Sequence, residues 1–287
     1  MPEGPSIVIL REQVERFAGC EILRAEGNAK IDIPRLTGLP VVAFRSWGKH
    51  FLIELPDFSI RVHFLMFGSY TIDERKPRPA RLSLGFAAGE LNFYSCAVRV
   101  IEEDLDAVYD WTADVMSDAW NPAAARRKLR SMPETLVCDA LLDQTLFAGV
   151  GNIIKNEVLF RIRVHPLTKV GALPPAKLRV LVEQAREYSF DFLAWKRDFV
   201  LRKHWLVHNK GECSRCSRKL TRAYLGTTDR RSFFCEHCQK FYGTGAAPDG
   251  RATRQPRSRV SADTRKSKPV AKSSARRDEQ PRAARKR

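Results

Sequence analysis

Four cysteines near the carboxyl end constrain the fold more tightly than any other feature. Cys213-x2-Cys216 and Cys235-x2-Cys238 are two tight pairs separated by eighteen residues. That spacing matches a four-thiolate zinc ribbon, in which each pair forms a knuckle and the chain between them returns as a hairpin. The expected cofactor is one structural zinc ion, stapling a segment too short to build its own core. His237 lies inside the second knuckle and reads as a bystander. The expected hairpin carries Arg222, Arg230 and Arg231 beside Phe233 and Phe234, the composition of a nucleic-acid contact. Cys20, Cys96 and Cys138 have no partners in sequence and read as buried apolar residues. An odd total of seven cysteines, four in this pattern, fits a reducing compartment, so a cytoplasmic location is expected.

Charge narrows the partner. The 287 residues carry a formal net charge of +17, which points to a polyanion, most simply nucleic acid. Residues 247–287 hold fourteen Lys/Arg against four Asp/Glu and lack apolar periodicity, so a disordered basic tail is expected. Such a tail either adds salt-sensitive affinity for DNA or only solubilises the chain. No run of eighteen apolar residues suggests a membrane span. Glu3 and Arg11 interrupt any signal-peptide core.

The period of the apolar residues divides the rest. Ile7, Leu10, Val14 and Phe17 share one face of a helix from Glu3 to about Phe17, and Gly19 follows as a stop. Strands are expected at Val41–Trp47, His50–Leu55, Ser59–Leu65, Arg81–Phe86 and Glu90–Tyr94, a spacing that suggests a sandwich or barrel. Gly48-Lys49 falls at a turn between two of them. From Trp120 the period becomes helical, with helices at Pro122–Met132, Thr135–Leu142, Asn152–Arg161 and Pro174–Trp195. Between the second and third lies Asp143-Gln144-Thr145-Leu146-Phe147-Ala148-Gly149-Val150-Gly151-Asn152, a tight turn with Asn152 as a suitable N-cap. Either its backbone N–H groups hold a phosphate, or it is an ordinary corner in a core.

The first five residues, Met1-Pro2-Glu3-Gly4-Pro5, carry the candidate chemistry. Loss of Met1 would leave the secondary amine of Pro2 at the terminus, beside the Glu3 carboxylate. An α-amino group has a pKa of about 8, so part of it is neutral and nucleophilic near neutral pH. Such an amine attacks a carbonyl-type carbon to give an iminium, and Glu3 can move protons beside it. The plainer reading is a helix start, with Pro5 in the first turn and Glu3 complementing the dipole.

Together the N-terminal motif, the Gly48-Lys49 turn, the Asp143–Asn152 corner and the ribbon resemble the family of formamidopyrimidine-DNA glycosylase and endonuclease VIII. The resemblance covers roughly residues 2–240. It extends through Asn152–Arg161 and His165-Pro166, close to the family's helix–two-turn–helix pattern. It implies a bifunctional glycosylase and AP lyase of base excision repair, acting on damaged double-stranded DNA as a monomer. By the same resemblance, Pro2 attacks C1′ of the damaged nucleotide and Glu3 moves protons at the sugar. Lys49 contacts the phosphates around the lesion. His63 opens the pattern His63-Phe64-Leu65-Met66-Phe67-Gly68, whose Met66 fills the gap left by the flipped base. Asn152 holds a backbone phosphate, as does Arg230, five residues before the third cysteine; Arg231 takes that role if the hairpin register shifts.

The implied fold class is α+β. Residues 1–118 form an N-terminal β-sandwich with its helix, 119–208 a helical helix–two-turn–helix domain, 209–246 the zinc ribbon and 247–287 the tail. Ser6 stands where many members have a glutamate. Ser95-Cys96-Ala97-Val98-Arg99-Val100 replaces the strand that carries the arginine and phenylalanine wedges of the 8-oxoguanine branch. The segment Tyr188–His208 lacks that branch's Gly/Ser/Thr-rich loop. These absences lean towards the endonuclease VIII branch and oxidised pyrimidines. The alternatives are the same chemistry on oxidised purines and a non-catalytic damage-binding protein on the same scaffold. A basic zinc-ribbon RNA-binding protein would leave the N-terminal motif and the corner unexplained.

Overall fold

The structure is a computed structural model that describes residues 2–245; the expected disordered tail, 247–287, lies outside the described residues. The chain opens with helix α1 (Gly4–Val14), whose last turn tightens over Glu15–Phe17. Strands β1 (Arg24–Glu26), β2 (Ala43–Trp47), β3 (His50–Glu54), β4 (Ser59–His63), β5 (Ser69–Ile72), β6 (Leu82–Phe86), β7 (Gly89–Tyr94) and β8 (Ala97–Ile101) follow. They form two four-stranded antiparallel sheets, ordered β1-β6-β7-β5 and β2-β3-β4-β8.

One apolar core lies between these sheets and α1. Ile7, Leu10 and Val14 of the helix meet Phe51, Ile60 and Val62 of one sheet and Leu82, Leu84 and Phe93 of the other. The alternation along each strand sends these side chains inward. Beyond the five strands expected from alternation, β1 and β5 are short, three and four residues, and β8 occupies the place of the strand compared with the 8-oxoguanine branch. Cys96 and Cys138 are buried as expected, whereas Cys20 is only half-buried at the edge of this core.

Helix α2 (Leu105–Val108) leads out of the sandwich into α3 (Pro122–Arg130), α4 (Val137–Ala140), α5 (Asn152–Arg161) and α6 (Pro175–Arg197). Asn121 caps α3 by accepting from Ala123 N and Ala124 N, at 3.1 and 3.0 Å. The core of this part gathers Leu129, Leu141, Phe147, Val158, Leu181 and Phe192. It also takes in Leu225 and Phe234, which belong to the hairpin of β9 (Thr221–Leu225) and β10 (Arg230–Phe234). The ribbon is therefore packed into the helical core rather than tethered to it.

The linkage at Asp114 joins sandwich and helices. Its carboxylate accepts from Gly48 N and Met116 N, both at 2.9 Å, tying the β2–β3 turn to the entry of the helical part. Burial pushes this carboxyl up to about 6, against the two amides that favour its charged form.

The four ribbon thiols lie within 4.8 Å of one another. Cys213 and Cys238 sulfurs are 3.8 Å apart and those of Cys216 and Cys235 3.6 Å. A tetrahedral zinc with Zn–S bonds of about 2.3 Å requires sulfur–sulfur edges of about 3.8 Å, whereas a disulfide would hold them at about 2.0 Å. The donor set thus fits one structural zinc. His237 is exposed beside this quartet, with Nδ1 3.8 Å from the Cys238 sulfur.

Two measurements check this account. The protein should carry one zinc per chain by elemental analysis, and Cys235→Ser should lose it with a fall of several degrees in Tm. Between pH 4 and 6 the folded state holds the Asp114 proton more tightly than the unfolded chain, so stability falls as pH rises through that window. The stability of the native protein relative to Asp114→Asn should therefore drop by up to about 3 kcal/mol across it and stay flat above pH 7. Denaturant melts at several pH values read this directly.

Candidate functional site

Pro5 sits in the first turn of α1, where its missing N–H costs nothing. Glu3 is the N-cap residue of α1, yet its side chain does not cap that helix. It reaches α5 instead. Oε1 accepts from Ile153 N at 2.8 Å, and Oε2 from Gly151 N at 3.1 Å and Ile154 N at 3.2 Å. The amides that the sequence offered to a phosphate are thus taken by a carboxylate of the chain itself. Asn152, expected as the N-cap, is the first helical residue, and Gly151 is the cap position. A Cβ on Gly151 would collide with the Glu3 carboxyl. Glu3 is 2% exposed, and loss of water raises its pKa, opposed by the Lys49 charge and the amides.

Three glycine backbones meet behind this clamp. Gly4 N donates to Gly149 O at 2.9 Å. A Cβ on Gly4 would lie 2.8 Å from Gly149 Cα, and one on Gly48 would lie 3.0 Å from Gly149 N. Gly48 and Gly149 also have φ of +53° and +96°, a region that L side chains rarely enter. Gln144 braces the corner. Its Nε2 donates to Leu142 O (2.8 Å) and Val150 O (3.1 Å), and its Oε1 accepts from Gly149 N (3.1 Å).

Lys49 occupies the β2–β3 turn beside this junction and is half-buried. Loss of water lowers its pKa, the Glu3 charge opposes that, and Arg230 reinforces it. Glu3, Lys49 and Arg230 therefore share one electrostatic neighbourhood. His63 closes β4 opposite His50, the two rings edge to face at 5.2 Å. Burial, with Lys49 and Arg61 nearby, holds both imidazoles below their ordinary range, His50 at about 3. Both are neutral at physiological pH.

Pro2 is half-buried on the wall of a cavity of about 760 Å³. Phe64, Phe192 and Leu201 give it an apolar side; Lys196, Arg202 and Lys203 give it a cationic one. The segment read as lacking a Gly/Ser/Thr-rich loop supplies much of that wall. It runs from the end of α6 through a single tight turn, Leu201–His204. Glu157 of α5 anchors it from behind, its carboxylate accepting from Leu206 N, Val207 N and His208 N at 2.9–3.0 Å.

Met66 stands at the crest of an exposed apolar turn with Leu65 and Phe67, the latter 81% exposed. Sequence reasoning singled out Met66 and missed its two neighbours. The available signal was a run of apolar residues just past a strand end and before Gly68.

The ribbon hairpin docks on α5. Asn152 Nδ2 donates to Arg231 O at 2.9 Å, Lys155 Nζ donates to Ser232 Oγ at 2.8 Å, and Asn156 Oδ1 accepts from Phe233 N at 3.3 Å. Lys155 is fully buried, which pushes its ammonium down to about 8. Successive strand residues face opposite sides, so Arg230 shares the face of Ser232. Arg231 turns the other way and donates to Tyr224 OH at 2.8 Å. Of the two arginines named from sequence, Arg230 is the one whose charge acts on Lys49.

Comparison with known proteins agrees with this geometry. Residues 1–96 match the family model of the formamidopyrimidine-DNA glycosylase N-terminal domain, and residues 97–188 that of its H2TH domain. A Mycolicibacterium smegmatis protein, "DNA-(apurinic or apyrimidinic site) lyase Nei2", is 30% identical over 83% of this chain and 99% of its own length. Endonuclease 8-like 3 of Xenopus laevis is 30% identical over 80% of this chain and 39% of its own length. The chain thus spans about two fifths or less of the vertebrate relatives of that name. A crystal structure of Lactococcus lactis formamidopyrimidine-DNA glycosylase on DNA containing an AP site shares the fold, with a TM-score of 0.73 and 24% identity over 83% of this chain and 99% of that one. With both halves of the family's domain pair matched in order, and a relative covered over nearly its whole length, the chain belongs to the formamidopyrimidine-DNA glycosylase/endonuclease VIII family.

Proposed function

We propose that this chain is a bifunctional DNA glycosylase and AP lyase of base excision repair that prefers oxidised pyrimidines. The observation that carries this reading is the clamp on Glu3. It fixes the residue next to Pro2 against α5 while leaving Pro2 itself on the wall of a cavity able to take a rotated-out base. The names carried by the relatives, an AP lyase and an endonuclease 8-like protein, favour the same reaction and branch.

In this mechanism the lone pair of the Pro2 nitrogen forms a bond to C1′, the bond to the base breaks with its electrons leaving on the base, and the proton released from the Pro2 nitrogen neutralises the departing base. The sugar ring then opens, its oxygen taking a proton, and an iminium joins Pro2 to C1′. Glu3, whose carboxyl pKa is raised by burial against the Lys49 charge and the α5 amides, is the group next to Pro2 that supplies that proton. The iminium acidifies C2′; loss of that proton expels the 3′ phosphate, and hydrolysis frees the enzyme. Lys49, Asn152 and Arg230 hold phosphates around the lesion, with His63 beside Lys49. Met66, on its exposed turn, fills the gap left in the stack. The zinc positions the hairpin and takes no part in the chemistry. Damaged duplex DNA lies in the groove between sandwich and helices, bound by a monomer.

Pro2→Gly should abolish strand cleavage at an abasic site and change duplex affinity by less than about threefold, roughly 0.7 kcal/mol. Gel-based cleavage and fluorescence anisotropy on the same oligonucleotide measure the two. Joint loss of cleavage and binding would point to misfolding instead. Single-turnover excision of an oxidised pyrimidine should exceed that of 8-oxoguanine by at least about tenfold, or 1.4 kcal/mol. The reverse order would assign the chain to oxidised purines. Tight binding without excision of either base would make it a damage-binding protein.

A further inference from the structure

The chain that follows β5 folds back over the outer face of its own sheet. Asn92 Nδ2 donates to Glu74 O at 2.9 Å, Lys76 N donates to Tyr94 OH at 3.0 Å, and Asn28 N donates to Ala80 O at 3.3 Å. These bonds roof a cavity of about 540 Å³ lined by Asn28, Arg75, Lys76, Arg78 and Tyr94 among others. It is separate from the cavity at Pro2.

The charges in this roof are unequally matched. Arg75 is fully engaged, 2.8 Å from Glu90 and 3.3 Å from Glu26, and Arg24 takes the same two carboxylates. Lys76 and Arg78 differ. Among the described residues, neither pairs with a carboxylate. Lys76 Nζ at 2.6 Å and Arg78 Nη2 at 3.4 Å instead converge on one neutral acceptor, Ser69 Oγ. Both cations also lie over the Tyr94 ring, at 5.1 and 5.3 Å from its centroid.

The convergence is built in. Arg78 N donates to Lys76 O at 2.7 Å, closing a tight turn at Pro77 that brings the two side chains to one side. Two like charges on one hydroxyl repel each other, and a ring face at an exposed site offsets little of that. An anion between them would relieve the repulsion and use their donors, with the guanidinium presenting a fork and the ammonium a point charge.

Ser69 says which anion. It accepts from both cations, and it also borders the Pro2 cavity, together with Gly68 and Tyr70. A strand whose damaged nucleotide occupies the Pro2 cavity must pass its next phosphates over the cavity's rim. We propose that Lys76 and Arg78, converging on Ser69, form a second phosphodiester site on the outer sheet, taking a backbone phosphate of the DNA strand as it leaves the Pro2 cavity. This rests on the reading of the chain as a DNA glycosylase.

The test uses the full chain, a Lys76→Gln/Arg78→Gln double variant and the charge-preserving Lys76→Arg/Arg78→Lys. The probe is a duplex carrying a tetrahydrofuran abasic analogue. Each phosphate neutralised contributes about 0.9 to the slope of log K against log salt, so the Gln pair should flatten the slope by about that much, and the charge-preserving pair should keep it. Methylphosphonate substitution, one phosphate at a time, should find a position that weakens binding by the native protein and not by the Gln pair. If the Gln pair has lowered thermal stability, Arg78→Gln alone replaces it, since that exposed side chain makes only the 3.4 Å contact and should shift the slope in the same direction. An unchanged slope with an unchanged methylphosphonate profile overturns the site. The native protein distinguishes the two failures: if it binds and cleaves abasic DNA, only this site falls, and if it does neither, the functional reading falls with it.

Discussion

A carboxylate at the N-cap position of a helix holds this molecule together at its working end. Glu3 belongs to the sandwich by sequence and to α5 by hydrogen bonding, accepting from Gly151, Ile153 and Ile154. The first amides of a helix lack intrahelical partners and carry the positive end of its dipole. A buried carboxylate in an apolar surrounding would be costly, and those amides are what make it tolerable. The arrangement demands close backbone approach, and Gly4, Gly48, Gly149 and Gly151 provide it. A side chain at any of them would separate the β2–β3 turn, the α1 start and the α5 corner, which would release Pro2 from its position.

Helix α5 spreads that constraint outward. The backbone of its first turn holds Glu3, and the side chains of Asn152, Lys155 and Asn156 hold the ribbon hairpin. Glu157 holds the chain at Leu206–His208, behind the segment that walls the Pro2 cavity. Arg215 closes the far end, donating to Phe160 O at 2.7 Å. One short helix thus sets the terminus, the arginine-bearing strand and the cavity wall relative to one another. The zinc site completes this, because Phe233 and Phe234 pack into neighbouring cores only while the knuckles hold the hairpin's ends.

Much of this is legible in the sequence. The cysteine spacing, the N-terminal pentapeptide, the Gly48-Lys49 turn and the glycine corner are local patterns, and each is found where its spacing placed it. What sequence hid was the pairing between distant groups. The corner's amides are open in sequence to a phosphate or to an ordinary corner, because nothing local reveals that a carboxylate far away in the chain claims them. Asn152 read as a cap for the same reason. Strands β1 and β5 are hidden because they run for only three and four residues, too few for their alternation to stand out. The spacing to Cys235 selects Arg230, and the β9–β10 register adds that Arg231 faces the other way, against Tyr224. The paired cations on Ser69 depend on a back-folded segment that looks, in sequence, like a proline-bearing loop.

Borohydride trapping shows whether the clamp presents a nucleophilic amine at Pro2. Untagged protein, shown by mass spectrometry to have lost Met1, would be incubated with a duplex carrying an abasic site and reduced. The expected product is a covalent protein–DNA complex whose modified peptide begins at Pro2. The absence of any complex, or a complex mapped to a lysine, would contradict it.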